Sequence, residues 1–504
     1  MDSLNLTTPA QHSYTDPTVE RDVERLRAWL TNLPLMDVVE TVRLVLGALN
    51  ALNEQKLDDA LRFRFLEVYR STSLRLFQTV DPLHMRQLAL SKSQRQEAID
   101  GVARLLLDLA GGYKLIVKSC YGGQGRQATD ALFGQALNRA LELLSYALLD
   151  SYRFYREIPP VLMAESHVLY RVARHHGLLG ITVETDDDAQ APLTTAQLYH
   201  ASMLLSLTEP ERLAEGEAGL LFDVLVQYAE RCRIVPGNRW DGDGEGLFLI
   251  DLRTRALPVS CTLLKSPAHA QEPYLLDATR TLQAIRRQLE QTPEKVRMQS
   301  PEAMVLRRLL PERNTEQRHR EQRHADGRYV GIIPGLEALH AWLRTRRDAA
   351  ADDIAGLEQC RVLDSSANGM KLSWNEGGAG DARVGELVGI VEGEGSKSAL
   401  QLALIRSIRV FREGGLEAGV LILAGGPGAV TCSVPDQPDQ NAVHALFMPA
   451  VDAEQITATL IAAKGLYAQG RSLLIDVGGR EIHVRAGRRV LDSPLFDRFE
   501  FSAL

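Results

Sequence analysis

The chain has 504 residues, more than one hydrophobic core normally holds, so we expect two to four domains. Its hydrophobic share of 45% and charged share of 24% are average for globular proteins, which argues against a disordered chain and against a membrane protein. The formal net charge of −8 argues against duplex nucleic acid and anionic membrane surfaces as partners.

The first 22 residues are polar and acidic, unlike a secretory signal, and no apolar run is long enough to cross a membrane. The five cysteines lie far apart and form no C-x-x-C pair, so a reducing compartment is the simplest interpretation. These features predict a cytoplasmic protein without membrane insertion.

Residues 20–230 are predicted to form a helical domain, because apolar residues recur there at helical spacing. Stop signals at Pro34, Asp81-Pro82, Gly111-Gly112 and Pro159-Pro160 divide the region into seven or eight helices. No repeat of about 34 to 40 residues is found, so a named helical repeat is not supported. The clearest apolar stripes are Val38, Val42, Val45, Leu49, Leu52 and Leu137, Leu141, Leu144, Leu148.

The apolar stripes of this region fit an intramolecular core and equally a surface for a dimer or a partner. Residues 231–310 are predicted to hold a β insertion, with a strand at Leu247 to Ile250, followed by further helices. Residues 311–328 are polar and basic and are predicted to form a linker or arm.

From Tyr329 to the end the pattern predicts β structure, with short apolar runs separated by glycine turns. We expect a first barrel at 329–434 and a second small β domain at 441–504, with the break at 435–440. In the second domain, Leu473 to Val477 is expected to pair with Glu481 to Arg485. Its phenylalanines, Phe496, Phe499 and Phe501, are expected to pack the interior.

A strand, a polar turn and a second strand follow Cys360, and three residues of this hairpin suggest a ligand site. Asp364 offers a pair of carboxylate acceptors to the N–H groups of a ligand, Ser366 offers a hydroxyl, and Gly369 is expected to provide positive φ. Three fixed residue types are weak evidence alone, but here two apolar strands flank them.

The D-x-S-x-x-G pattern of Asp364, Ser366 and Gly369 resembles that of PilZ domains, small β-barrels that bind cyclic di-GMP. The runs at 384–390, 402–410 and 418–423, the last with Gly419-Val420, resemble the remaining strands of that barrel. The resemblance covers residues 315 to 430 and implies a PilZ-like fold and a cyclic di-GMP ligand. An ordinary polar hairpin turn in an unrelated barrel is the alternative.

PilZ domains also carry an R-x-x-x-R arm before the first strand, and arginine suits it because its planar fork binds phosphate or guanine O6 and N7. The resemblance places Arg318, Arg320 and Arg323 in this arm. No two of them are spaced four apart, which departs from the family pattern, and a solvated linker is the alternative. Arg344, Arg346 and Arg347 are expected in a polar loop after the first strand.

No catalytic motif or phosphate-binding loop is found, and His319, His324 and His340 lack partners at metal-ligand spacing. We therefore expect no enzyme activity, no metal and no cofactor. The predicted fold is a multidomain α+β protein: an N-terminal all-α helical bundle, a C-terminal PilZ-like β-barrel and a second small β-barrel-like domain.

Two functions remain at this level. The first is a cyclic di-GMP effector in bacterial motility, attachment or exopolysaccharide control, in which ligand binding orders the arm and the helical domain contacts an unknown protein partner. The second is a nucleotide-free interaction or scaffold protein with a degenerate PilZ barrel. A homo-oligomer is left open.

Overall fold

In the computed structural model, contacts divide the chain into two compact units. The first is Met1–Pro210 with Glu215–Glu316, and the second is Glu211–Ala214 with Gln317–Leu504. The structure describes residues 4–13, 16–17, 19–122, 131–184, 191–237, 244–264, 273–297, 299–310, 324–348, 357–374, 382–392, 399–412, 414–435, 442–450 and 457–504.

The first unit is mainly helical, which confirms the predicted all-α N-terminal region. In the described part of the chain its helices are α1 Val23–Thr31, α2 Val38–Glu54, α3 Asp59–Thr79, α4 Pro82–Gln87, α5 Lys92–Gly122, α6 Ala131–Arg153, α7 Pro160–His175, α8 Thr195–Ser206, α9 Glu217–Tyr228, α10 Thr279–Gln291, α11 Glu294–Arg297 and α12 Pro301–Leu309.

Side-chain caps explain where several helices begin. The carboxylates of Asp22, Asp37 and Asp58 accept hydrogen bonds from the first free backbone N–H groups of α1, α2 and α3. Pro82 and Pro160, both predicted as breaks, occupy the first turns of α4 and α7, where a missing N–H costs nothing. The predicted breaks at these prolines are therefore confirmed.

The two predicted apolar stripes are buried, and every residue named for them is at most 5% exposed. The predicted break at Gly111-Gly112 is wrong, because α5 runs through it. A Cβ on Gly112 would lie 2.7 Å from Asn53 Oδ1 and from Leu66 Cδ2. The glycine therefore lets α5 pack closely against α2 and α3 instead of ending the helix.

Buried ion pairs connect the helices. Arg70 and Glu142 approach to 2.6 Å, and Lys114 and Glu165 to 2.7 Å, with all four side chains at most 9% exposed. Removing one partner would leave an uncompensated buried charge, so these pairs fix how α3, α5, α6 and α7 meet.

The predicted β insertion is a four-stranded sheet with strand order β1-β4-β2-β3. Its strands are β1 Arg233–Pro236, β2 Leu247–Asp251, β3 Val259–Ser260 and β4 Pro273–Asp277. The predicted strand at Leu247 to Ile250 is thus confirmed, and it lies in the middle of the sheet.

The second unit contains two closed antiparallel barrels of six strands, which confirms the predicted β architecture. The first barrel consists of β6 Tyr329–Pro334, β7 Glu358–Ser366, β8 Gly369–Trp374, β9 Leu387–Glu392, β10 Ala399–Val410 and β11 Leu416–Leu423, and the short strand β5 His324–Ala325 is added to β7. The ring closes in the order β6-β7-β8-β11-β10-β9.

A helix interrupts this β region, so the prediction of β structure alone from Tyr329 onward is wrong. Helix α13 spans Gly335–Asp348 and includes the arginines that were expected in a loop. Leu336, Leu339 and Leu343 recur at helical spacing and pack into an apolar cluster, which accounts for the helix.

The second barrel consists of β12 Gly428–Ser433, β13 Val443–Met448, β14 Thr459–Ala463, β15 Ser472–Asp476, β16 Glu481–Asp492 and β17 Phe496–Ala503. Its ring is β12-β13-β14-β17-β16-β15. Numbered within each barrel, both rings have the order 1-2-3-6-5-4. The predicted break at 435–440 therefore lies inside the second barrel, between its first two strands.

The predicted hairpin is present, with Leu473 paired to Val484. Phe499 is fully buried in the interior of the second barrel, and Phe501 packs against the same cluster. Phe496 instead lies in a shared apolar cluster with residues of the first barrel, which we call the inter-barrel core.

The inter-barrel core joins the outer faces of the two barrels. From the first barrel and α13 come Ile333, Leu339, Leu387, Val391, Leu402, Leu404 and Leu423, and from the second Leu446, Met448, Ile461 and Phe496, all at most 6% exposed. The burial of this apolar surface stabilises the packing of the two barrels against each other within the second unit.

Within the described residues, no helix has the length and apolar character that a membrane crossing requires. All five cysteines are buried and free of disulfides. Burial raises the pKa of Cys360 and of Cys432 to about 12, so neither thiol is reactive near neutral pH.

Candidate ligand-binding site

The D-x-S-x-x-G segment forms the end of the β7–β8 hairpin. Ser366 pairs with Gly369, and Asp364 pairs with Lys371, with a register shift between Val362 and Asp364. Directly paired residues of antiparallel strands point to the same face. Asp364 and Ser366 therefore face outward from the barrel, while the neighbouring pair of Val362 and Leu372 is buried.

The turn itself is held by short contacts. The hydroxyl of Ser366 donates to the carbonyl of Gly369 at 3.3 Å, and the amide of Ile422 donates to the carbonyl of Asn368 at 2.9 Å. The hydroxyl oxygen of Ser366 keeps its acceptor capacity toward a ligand.

The expected reason for Gly369 was wrong, because its φ is not in the left-handed region. A Cβ at this position would lie 2.7 Å from the carbonyl oxygen of Val420. Glycine is therefore required by the close approach of β8 to β11, which brings the motif turn against the barrel wall.

Lys371 lies at the centre of the outward face. Asp364 is opposite it on β7, and Gly419 is opposite it on β11. Gly419 in turn pairs with Ser407 on β10, and a Cβ on Gly419 would meet Ser407 Oγ at 2.6 Å. Small residues therefore lie beside Lys371 on this face.

A second row of polar residues runs beside the first. Glu417 pairs with Ser373 on one side and with Arg409 on the other, so these residues share the outward face. Lys371 Nζ lies 2.5 Å from Glu417 Oε2, and the lysine side chain remains 39% exposed. Arg409 and Arg361 are exposed on the same face.

The last residues of the predicted arm, 324–328, are attached directly beside the motif. In β5, His324 pairs with Ser365 and Ala325 pairs with Asp364. Asp326 accepts hydrogen bonds from the backbone of Arg328 and Gly327 and from Ser365 Oγ, and these bonds lower its pKa. This turn fixes the end of the arm to β7.

Of the predicted site residues, the structure brings Asp364, Ser366 and Gly369 together. Arg318, Arg320 and Arg323 lie outside the described residues. Sequence analysis missed Lys371, although the alternation of β8 places it on the same face as Gly369, two residues earlier. It also missed Arg409, because that position depends on pairing between distant strands.

Chemically, this face presents a carboxylate acceptor, a hydroxyl and exposed cations around small residues. Such a set suits a ligand with N–H donors at one edge and anionic groups nearby. In the described part of the chain, no group of three or more His, Cys, Asp or Glu side chains is arranged to hold a metal ion.

Comparisons with known proteins agree along most of the chain. Residues 24–237 match the family model of the cyclic-di-GMP receptor FimW N-terminal domain, and residues 430–504 match that of the FimW C-terminal β-barrel domain. The second match begins within β12, at the start of the second barrel.

A relative described as the cyclic-di-GMP receptor FimW, from Pseudomonas aeruginosa, is 24% identical over an alignment of 580 residues, which covers 99% of this chain and 93% of the relative. No solved structure matches. The chain is therefore similar to the FimW proteins in both of these regions, and to the receptor from Pseudomonas aeruginosa along nearly its whole length.

Proposed function

We propose that this chain is a receptor for cyclic di-GMP and that the ligand binds on the outward face of the first barrel. The observation that carries the proposal is the outward face of the β7–β8 hairpin, where Asp364, Ser366 and Gly369 meet as the PilZ resemblance implies. The alignment with the cyclic-di-GMP receptor FimW along nearly the whole chain supports the same ligand.

Asp364 accepts the N1–H and N2–H of one guanine, and Ser366 adds a hydroxyl contact beside it. The first barrel acts as a PilZ-like module without enzyme activity. The helical unit carries the output to a protein partner, in a process such as motility, attachment or exopolysaccharide control.

The arm arginines complete the site in this proposal. Arg323 directly precedes His324, which pairs with Ser365, and consecutive Cα atoms are about 3.8 Å apart. Arg320 is three residues further, within roughly 11 Å of extended chain. In this proposal the arm is attached close enough to the motif for its guanidinium groups to reach the ligand, although no two of these arginines are spaced four apart.

Titration calorimetry with cyclic di-GMP tests the proposal. We expect saturable binding by the full chain, weakened about 10- to 100-fold by Asp364→Ala and less by Ser366→Ala, because hydrogen bonds to charged groups are the stronger ones. Glu358→Ala, on an exposed position of the same strand, is the matched control and should bind normally.

Absence of saturable binding below about 100 μM, where only roughly 5.5 kcal/mol of binding free energy remains, would reject the proposal. The missing four-residue spacing of the arm arginines favours the second candidate, a scaffold protein that binds no nucleotide. In that case Asp364→Ala would leave any partner interaction unchanged with and without cyclic di-GMP.

A further inference from the structure

Lys371 belongs to the wall of the first barrel and not to the arm. It lies on the outward face that also carries Asp364 and Ser366, which we call the ligand face. Asp364 lies opposite it on one strand and Gly419 on the other, while Gly369 and Ser373 precede and follow it on the same face. Its neighbours on three sides are thus glycine or serine. A ligand that lies over these small residues would contact the ammonium group directly.

The ion pair between Lys371 and Glu417 does not prevent such a contact. The lysine side chain is 39% exposed and the glutamate 20% exposed, and pairs this exposed contribute little to stability. Arg409 is the cross-strand neighbour of Glu417 on β10, so a second cation belongs to the same outward face. An anionic ligand group can replace the carboxylate as the partner of Lys371.

We propose that Lys371, together with Arg409 on the next strand but one, forms a phosphate-binding position in the barrel wall and that Glu417 occupies it in the absence of ligand. This proposal rests on the function proposed above and adds residues to that site. The backbones of both cations are held in strands, so their placement does not depend on the arm. They thereby supply cationic contacts where the arm lacks paired arginines.

Calorimetric titration of the full chain with cyclic di-GMP at two salt concentrations tests this proposal. We expect Lys371→Gln to weaken binding about 5- to 20-fold at low salt and to reduce its salt dependence, since a charge-assisted contact is lost. Arg409→Gln should have a smaller effect in the same direction. Arg485→Gln, an exposed position on the second barrel, is the matched control.

Glu417→Gln should change the affinity for cyclic di-GMP in the opposite direction. This variant therefore distinguishes the proposal from a purely structural role of the ion pair. Removing the competing carboxylate should strengthen binding about 2- to 5-fold, whereas a pair that only stabilises the strands would weaken it. The thermal unfolding midpoint should change little in all of these variants.

Normal binding by Lys371→Gln, or weaker binding by Glu417→Gln, would overturn this inference while the receptor function stands. If the unaltered chain binds no cyclic di-GMP, both this inference and the proposed function are overturned.

Discussion

The two barrels have the same strand order but use the same face differently. In the first barrel, the second and third strands, β7 and β8, point Asp364, Ser366 and Lys371 outward. In the second barrel the corresponding strands, β13 and β14, point Leu446, Met448 and Ile461 outward into the inter-barrel core. One topology thus serves as a candidate ligand face in one copy and as a packing face in the other.

The difference between the two faces follows from the side-chain alternation of the strands. Strand β8, Gly-Met-Lys-Leu-Ser-Trp, alternates small or polar residues with apolar ones, as expected for a strand with one exposed face. Strand β14, Thr-Leu-Ile-Ala-Ala, is nearly all apolar and is buried on both faces at its first four positions. Strand order therefore does not determine which face is available.

The largest effect should come from a charge placed on the packing face. Leu446 is 0% exposed, so Leu446→Asp buries an unpaired carboxylate and should cost about 4 kcal/mol or more of unfolding free energy. Arg361→Asp, on the exposed face of the corresponding strand, should change it by about 1 kcal/mol or less. Urea unfolding of both variants measures the contrast, and equal losses would contradict it.

A smaller effect should separate two glycines of the ligand face. Gly369→Ala places a methyl group against a backbone carbonyl, and we expect a loss of about 1 to 3 kcal/mol. Gly419→Ala meets only the hydroxyl of Ser407, which can rotate away, so it should cost less than about 1 kcal/mol. Chemical denaturation of the two variants measures both losses. A larger loss for Gly419→Ala than for Gly369→Ala would show that this account of Gly369 is wrong.

The smallest effect concerns pH at the contact between the barrels. His340 of α13 is buried and its ring stacks on that of His444 of β13, with centroids 4.0 Å apart. Burial, together with the adjacent His444, lowers the pKa of His340, although Glu337, which hydrogen-bonds His444, acts in the opposite direction.

Since the pKa of His340 is lower in the folded protein than the value of about 6.5 in the unfolded chain, the unfolded state binds more protons as pH falls. The contribution to stability is constant above that value and decreases as pH drops below it. We expect His340→Phe to reduce the loss of urea resistance between pH 7.5 and 5.5, whereas His483→Phe, at an exposed position, should not. An unchanged loss in His340→Phe would exclude His340 as its source.

Much of this architecture follows from local patterns in the sequence. Helical stripes such as that of Val38 to Leu52 and the hairpin at Leu473 to Arg485 were predictable because neighbouring residues define them. The barrel rings were not, because β6 pairs with β9 and β14 with β17 across long stretches of chain. Helix α13 was missed because its three leucines lie within a region that otherwise alternates as strands do.

The candidate site likewise has one part that the sequence predicts and one part that it does not. The motif of Asp364, Ser366 and Gly369 is contiguous and could be found from the sequence alone. The neighbours Glu417 and Arg409 depend on the register between β8, β11 and β10, which no local pattern specifies.

The inter-barrel core also determines where the chain can be truncated. A fragment that ended after β11 would expose Leu387, Leu402, Leu404 and Leu423 to water as one adhesive surface. The smallest soluble binding fragment must therefore retain the carboxyl-terminal strands, even though none of the motif residues belongs to them.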